Sequence, residues 1–127
     1  MRTRVLFALS LACCTAGASH ASTLGDQCLA LAPKFTEAFV SGDYATAHQQ
    51  LNGFASAMSS PESLKSDWAD MNREFGAYVS HGKPTVFQDD GKDAFVRTPM
   101  TFAHHAVTVQ VVCSKDTHGK IGSLAFL

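Results

Sequence analysis

The chain has 127 residues, with 10 basic and 11 acidic side chains and a net charge of −1. This balance leaves no basic stripe, so nucleic acid and anionic membrane surfaces are not expected partners. The length suits one compact domain and is too short for two.

The first 21 residues have the features of a secretory signal peptide. Arg2 and Arg4 precede an apolar run over residues 5–12, and small residues precede a predicted cleavage after Ala21. This run is far shorter than the roughly 20 residues that span a bilayer, so a retained anchor is the weaker alternative. A lipoprotein signal at the cysteine pair of residues 13–14 is a second alternative.

Processing would leave a domain over residues 22–127 with 8 basic and 11 acidic residues and a net charge of −3. We expect it to be periplasmic or secreted, with no membrane span after processing. Cys28 and Cys113 are its only cysteines, and an oxidising compartment favours a disulfide between them. On the chain-entropy model such a bridge contributes about 4–5 kcal/mol. Two buried free thiols are the alternative.

Apolar residues at spacings of three and four predict a first helix that ends at Ser41-Gly42. Its stripe consists of Leu24, Cys28, Leu31, Phe35 and Phe39. Cys28 is therefore expected to face the core, and Pro33 is expected to kink or split the helix.

Two further helices are predicted before the sheet. Asp43 is a suitable N-cap for the first, whose stripe is Tyr44, Ala47, His48 and Leu51. Asn52-Gly53 is expected to stop it, and residues 54–59 are expected to form a connector. Ser60 before Pro61 begins the next helix, which ends at Gly76 and has one face formed by Leu64, Trp68, Met71 and Phe75.

An antiparallel hairpin is predicted around His104-His105. Pairing Ala103 with Ala106 puts four cross-strand pairs on one nearly apolar face: Phe102–Val107, Met100–Val109, Thr98–Val111 and Val96–Cys113. The opposite face is more polar, as expected for a half-buried pair. Cys113 would then meet Cys28 across the interface between helix and sheet.

The other strands flank this hairpin. Residues 77–88 predict a first strand with a bulge near Gly82, and Asp90-Gly91 turns the chain into the hairpin. Pro99 conflicts with a central strand, so a bend or second bulge is expected there. A last strand is predicted over residues 120–127. The expected fold class is α+β, with N-terminal helices packed on a curved four-stranded antiparallel meander.

Four segments of the chain resemble a bacterial secreted domain of unknown function in the nuclear transport factor 2-like group. They are residues 39–47 (FVSGDYATA), 60–64 (SPESL) with Trp68 and Gly76, 99–102 (PMTF) and 119–124 (GKIGSL). The resemblance implies a cystatin-like cone in which a curved sheet covers the helices and often leaves a pocket at its open end. Similar domains occur alone or ahead of an α/β-hydrolase domain.

The candidate ligand-binding residues are those expected at the open end of this cone: Trp68, Tyr78, Met100, Phe102 and His48. Core packing is the alternative for Trp68, and a packed, hydrogen-bonded role is the alternative for His48.

Catalytic chemistry is not predicted. Enzymes of this fold hold an acid inside the cone, but here the acids lie in predicted turns or off the apolar stripe. His48 and Tyr78 remain as a candidate catalytic pair, but no third group is predicted to orient them. We therefore expect no catalytic residue.

No cofactor or metal site is expected either. His104 and His105 are adjacent and point apart in extended chain, and His81 and His118 lie in predicted loops. The sequence also lacks a nucleophile elbow, a phosphate loop and a Cys-x-x-Cys motif.

Two functions of different classes follow. The first is a non-catalytic domain that binds an apolar small molecule or a protein partner, with a homodimer as one such arrangement. The second is a small isomerase-like or cyclase-like enzyme that uses the cone pocket.

Overall fold

The computed structural model describes residues 23–127. The predicted signal peptide and its lipoprotein alternative lie outside the described residues. The helices are α1 (Leu24–Ser41), α2 (Tyr44–Gln49), α3 (Gly53–Met58) and α4 (Pro61–Phe75). The strands are β1 (Tyr78–His81), β2 (Thr85–Asp89), β3 (Asp93–Phe102), β4 (Ala106–Ser114) and β5 (Ser123–Phe126), with a 3-10 turn at Lys115–Thr117 between the last two. No helix of this described part is long and apolar enough to cross a bilayer.

Helix α1 begins with a capping box, in which Thr23 and Asp26 each accept a backbone N–H from the other. The helix continues through Pro33 for 18 residues, so the predicted split does not occur. Its buried face follows Cys28, Ala32, Phe35 and Phe39, whereas Leu24 and Leu31 are half-buried. The predicted stripe is therefore correct at Cys28, Phe35 and Phe39, and Ala32 is buried in place of Leu31.

The connector predicted after the second helix is wrong, because residues 53–58 form α3. Asn52 does not act as a helix stop. Its side chain accepts the N–H of Ala55 at 2.8 Å and so caps the start of α3. Helix α4 has the predicted bounds, with Ser60 as N-cap and Gly76 at a φ of 85° as C-cap.

The strands form one antiparallel sheet in the order β1-β3-β4-β5, with β2 also paired to β3. The predicted first strand is divided into β1 and β2, and each pairs with a different part of β3. This division accounts for five strands where four were expected. Bulges lie within β1 and β2 themselves, not at Gly82.

The predicted hairpin register is wrong by two residues. Met100 pairs with Val107 and Ala94 with Cys113, because the turn tip is Ala103-His104 instead of His104-His105. Side chains alternate with a period of two, so this shift leaves every residue on its predicted face.

The expected bulge at Pro99 does not occur in β3, whose pairing with β4 is continuous through Pro99–Thr108. The interruption lies in the neighbouring edge strand instead. Residues 82–84 separate β1 from β2 beside Pro99, and the carbonyl of Pro99 accepts the N–H of Gly82 at 2.8 Å. A proline therefore fits here because the flanking ladder is broken next to it.

The helices cover the inner face of the sheet. Val96, Met100, Val109 and Val111 on this face are buried against α1 and its neighbours. The predicted Cys28–Cys113 disulfide is confirmed, with a Cα–Cα distance of 5.7 Å. It joins α1 to β4 at the end of the sheet where β3 begins.

Candidate functional site

The aromatic residues predicted to line a pocket pack against one another. The ring of Trp68 lies 5.2 Å from that of Tyr78 and 5.8 Å from that of Phe102, centroid to centroid. The ring of Phe39 also lies 5.2 Å from that of Trp68, and Met100 is fully buried. These contacts agree with the alternative interpretation, in which Trp68 packs in the core. The ligand-binding role of the group stays a prediction.

His48 and Tyr78 have separate partners. His48 Nε2 lies 3.1 Å from the carbonyl oxygen of Ser56, a bond that ties α2 to α3. The Tyr78 hydroxyl lies 2.6 Å from Nδ1 of His81, and burial raises the pKa of this hydroxyl. The structure thus joins Tyr78 to His81, a pairing that the sequence analysis did not identify.

A cavity of about 570 Å³ lies at the opposite end of β3, beside the disulfide. Strand β3 runs from this end of the sheet to Phe102 in the aromatic cluster. We call it the disulfide cavity. It is lined by Thr23, Leu24, Gln27, Cys28, Leu31, Asp89, Gly91, Cys113, Ser114, Lys115, Thr117 and Gly119.

One wall is the first turn of α1, where Asp89 acts as a second cap. Its Oδ2 accepts the N–H of Gly25 at 2.7 Å, and its Oδ1 accepts the N–H of Gly91 at 2.9 Å. A Cβ on Gly25 would lie 2.8 Å from Asp89 Oδ2, so a larger residue there would displace this carboxylate. The carboxylate also meets the positive end of the helix dipole, which fixes β2 against α1.

The facing wall is the end of β4 and the 3-10 turn that follows it. Thr117 Oγ1 donates to the carbonyl oxygen of Ser114 at 2.7 Å and accepts the N–H of Ser114. The Ser114 hydroxyl donates to the carboxylate of Asp93 at the start of β3. Asp89 and Asp93, two acids in the predicted turn region around Asp90-Gly91, therefore hydrogen-bond to the walls of this cavity.

The arrangement suits binding more than proton transfer. Leu24, Leu31 and the disulfide supply an apolar floor, whereas Gln27, Asp89 and Lys115 provide polar groups at the rim. An apolar floor under a few polar groups is the usual composition of a small-molecule site. Cys28 and Cys113 were a signal in the sequence for the floor, whereas nothing in the sequence indicated the helix-capping role of Asp89.

Two other histidines within residues 23–127 have packing or turn roles. The ring of His105 stacks on Phe75 at 4.8 Å, and His118 has a left-handed φ of 51° after the 3-10 turn. Over residues 23–127, no group of three or more potential ligand side chains is placed to hold a metal ion.

Comparison with known proteins adds no assignment: no family model matches the chain, and no curated protein or solved structure shows significant similarity to it.

Proposed function

We propose that this protein is a secreted or periplasmic, non-catalytic binding domain for an apolar or amphipathic small molecule, and that the disulfide cavity is its site. The observation that carries the proposal is the apolar floor of that cavity, formed by Leu24, Leu31 and the disulfide. Its volume of about 570 Å³ lies within the range of about 300–1,000 Å³ that is typical of ligand pockets.

The rim explains why an amphipathic ligand is favoured. Gln27 and Lys115 are exposed and border the same opening, so they can contact a polar head group while the apolar part lies on Leu24 and Leu31. Binding of this kind needs apolar area and a few oriented polar groups, and it needs no general base.

A fluorescent amphipathic probe, 1-anilinonaphthalene-8-sulfonate, tests the site directly. We expect saturable 1:1 binding to the disulfide-bonded protein. Gln27→Trp should fill the opening and weaken binding about tenfold or more, whereas Ala30→Trp puts the same ring elsewhere on α1 and should leave the affinity unchanged. Equal affinities for the two variants, or non-saturable binding, would overturn the assignment to this cavity and favour a protein partner instead.

Export is the second part of the proposal. A buried disulfide that links α1 to β4 supports an oxidising destination for residues 22–127. Expression of the full chain in a bacterium, with intact-mass analysis of the periplasmic fraction, should give a protein that begins at Ser22. Full-length protein retained in the cytoplasm would contradict export.

The cone of the nuclear transport factor 2-like group is the proposed fold family. The support is the packing of four N-terminal helices on one face of an antiparallel sheet whose strands follow in chain order. An experimental structure that superposes on such a cone would establish this family, and a sheet without concave curvature would exclude it.

The enzymatic alternative of the sequence analysis required His48 and Tyr78 to act together. Each is instead hydrogen-bonded to a different group, Ser56 and His81. A non-catalytic role is therefore the function that the geometry supports better.

A further inference from the structure

The outer face of the sheet, opposite the helices, is open to solvent in the described part of the chain. Its side chains alternate with the buried ones, and over β1 to β5 only two of them are charged, Asp93 and Arg97. Large apolar side chains share this face: Phe87, Phe95, Val112 and Leu127. Phe87 and Leu127 are more than half exposed. Exposed apolar side chains with few charges among them are typical of the centre of a protein interface.

Arg97 is held in a fixed position on this face. Its guanidinium carbon lies 3.5 Å from the centroid of the Phe87 ring on β2, and its Nε donates to Oε1 of Gln110 on β4 at 2.9 Å. These contacts use only the Nε–H, and the Nη groups form no ion pair with a carboxylate among residues 23–127. A guanidinium that is oriented but not paired is suited to a carboxylate from another molecule.

Asp93 lies on the same face of β3, four positions before Arg97. Its carboxylate accepts the hydroxyl of Ser114 and forms no ion pair within the described chain. The half-exposed ring of Phe95 lies midway between the two charges along the strand. A two-fold axis through Phe95 would therefore place Arg97 of one copy opposite Asp93 of the other, and the same rotation would form the pair a second time.

We infer that the outer face of the sheet is the interface of a two-fold symmetric homodimer, in which Arg97 of each copy pairs with Asp93 of the other. A second copy satisfies both charges of this face at once. An acidic partner of another kind would pair with Arg97 but would be repelled by Asp93, and a basic partner would meet the reverse problem. The helices and the disulfide cavity lie on the opposite side of the sheet from β3's outer side chains, so this interface is separate from the proposed ligand site.

Sedimentation velocity of the disulfide-bonded protein tests whether the dimer forms. We expect a mass of two chains at about 100 μM, because interfaces of standard size have dissociation constants in the micromolar range or tighter. Dilution should give a single transition from dimer to monomer.

Charge reversal tests the pairing itself. Arg97→Asp and Asp93→Arg each place like charges opposite each other twice in the dimer, so each variant alone should dimerise at least about tenfold more weakly than wild type. A mixture of the two variants should form a 1:1 heterodimer, since both pairs are then restored with one pair reversed in sign. Native mass spectrometry distinguishes this heterodimer from either homodimer.

Arg73→Asp is the matched control. Arg73 lies on α4 with its side chain 77% exposed, so the same change of charge away from the outer face should leave dimerisation unchanged. Circular dichroism identifies the variants that fold. The double variant Asp93→Arg/Arg97→Asp exchanges the two charges within one chain, so it should dimerise like wild type even if a single charge reversal impairs folding.

The inference is overturned if the wild-type protein stays a monomer at about 100 μM, above the dissociation constants expected for a standard interface. It is overturned as well if the folded Arg97→Asp variant dimerises like wild type, which would indicate another interface such as the edge of β5. A folded double variant that stays monomeric would also contradict the pairing of Arg97 with Asp93.

Discussion

At the residue scale, single side chains take roles that depend on distant neighbours. Asp89 caps α1 from β2, 64 residues along the chain, and Gly25 permits that contact. Thr36 buries a hydroxyl that no other described residue satisfies. Trp68 contacts three rings from three different elements, so its environment is formed entirely by tertiary packing.

We predict that Trp68→Ala lowers the free energy of unfolding by about 3–5 kcal/mol, because it removes the ring around which Phe39, Tyr78 and Phe102 pack. Urea denaturation measures the change. Phe54→Ala is the control, since Phe54 is 73% exposed and its loss should change stability by no more than about 0.5 kcal/mol. Equal denaturation midpoints for both variants would contradict a packed role for Trp68.

At the scale of elements, α1 is held to the sheet at two points along its length. The disulfide fixes Cys28 to β4, and the Asp89 carboxylate fixes the first turn to β2. Farther along, Phe39 stacks on Phe126 of β5 at 5.3 Å. Helix α1 therefore contacts both margins of the sheet.

We predict that the double variant Cys28→Ala/Cys113→Val lowers the free energy of unfolding by about 2–5 kcal/mol. The bridge spans 85 residues, so its removal restores much chain entropy to the unfolded state. The two replacements are apolar and keep most of the buried packing, which isolates the effect of the cross-link. Reduced wild-type protein should unfold at a similar urea concentration, and an oxidised wild type no more stable than the variant would contradict a structural role for the bridge.

At the scale of the whole molecule, surface carboxylates make stability depend on pH. A hydrogen bond to the Thr46 side chain is the largest cause of a lowered pKa at Asp43, the N-cap of α2. Backbone N–H groups of Asp93 and Lys92 likewise lower the pKa of Asp90 in the turn between β2 and β3. Both acids have a lower pKa in the folded state, so they stabilise the protein above the ordinary aspartate pKa of about 3.9, and this contribution is lost as the pH falls through the folded-state values.

We predict that the melting temperature, followed by circular dichroism, falls as the pH is lowered from about 5 to below 3. Asp90→Ala should reduce this dependence, because the variant has no carboxylate to protonate at that turn.

The effect of Asp67 on the pH dependence of stability has the opposite sign, since burial and, to a smaller extent, Asp70 raise its pKa. Its contribution is present below the unfolded-state pKa and is lost as the pH rises through the folded-state value.

Asp67→Asn should therefore raise the melting temperature at pH 7 and have no effect well below pH 4. A flat profile for the wild type, or an Asp67→Asn effect that grows in acid, would contradict this assignment of signs.

The sequence by itself determined the helix-then-sheet order, the bounds of α1 and α4, the inner and outer faces and the disulfide, but it missed α3 and the division between β1 and β2. These follow from local rules: helical spacing put Cys28 inward, and strand alternation put Cys113 inward whichever register was adopted. Ser60-Pro61 and Gly76 marked the ends of α4 because caps act within a few residues.

Only the tertiary structure decided the register of the hairpin and the positions of the cavities. Ala103 donates its N–H to the carbonyl oxygen of Ala77, and His104 donates its N–H to that of Phe75. These bonds to the end of α4 and the segment after it place the tip of the turn one residue earlier in the chain than the sequence analysis predicted. The aromatic cluster filled one end of the sheet, whereas cavities formed beside the disulfide and beside the interrupted edge strand. Whether side chains fill a space depends on contacts between residues far apart in the chain, and periodicity along the chain does not contain that information.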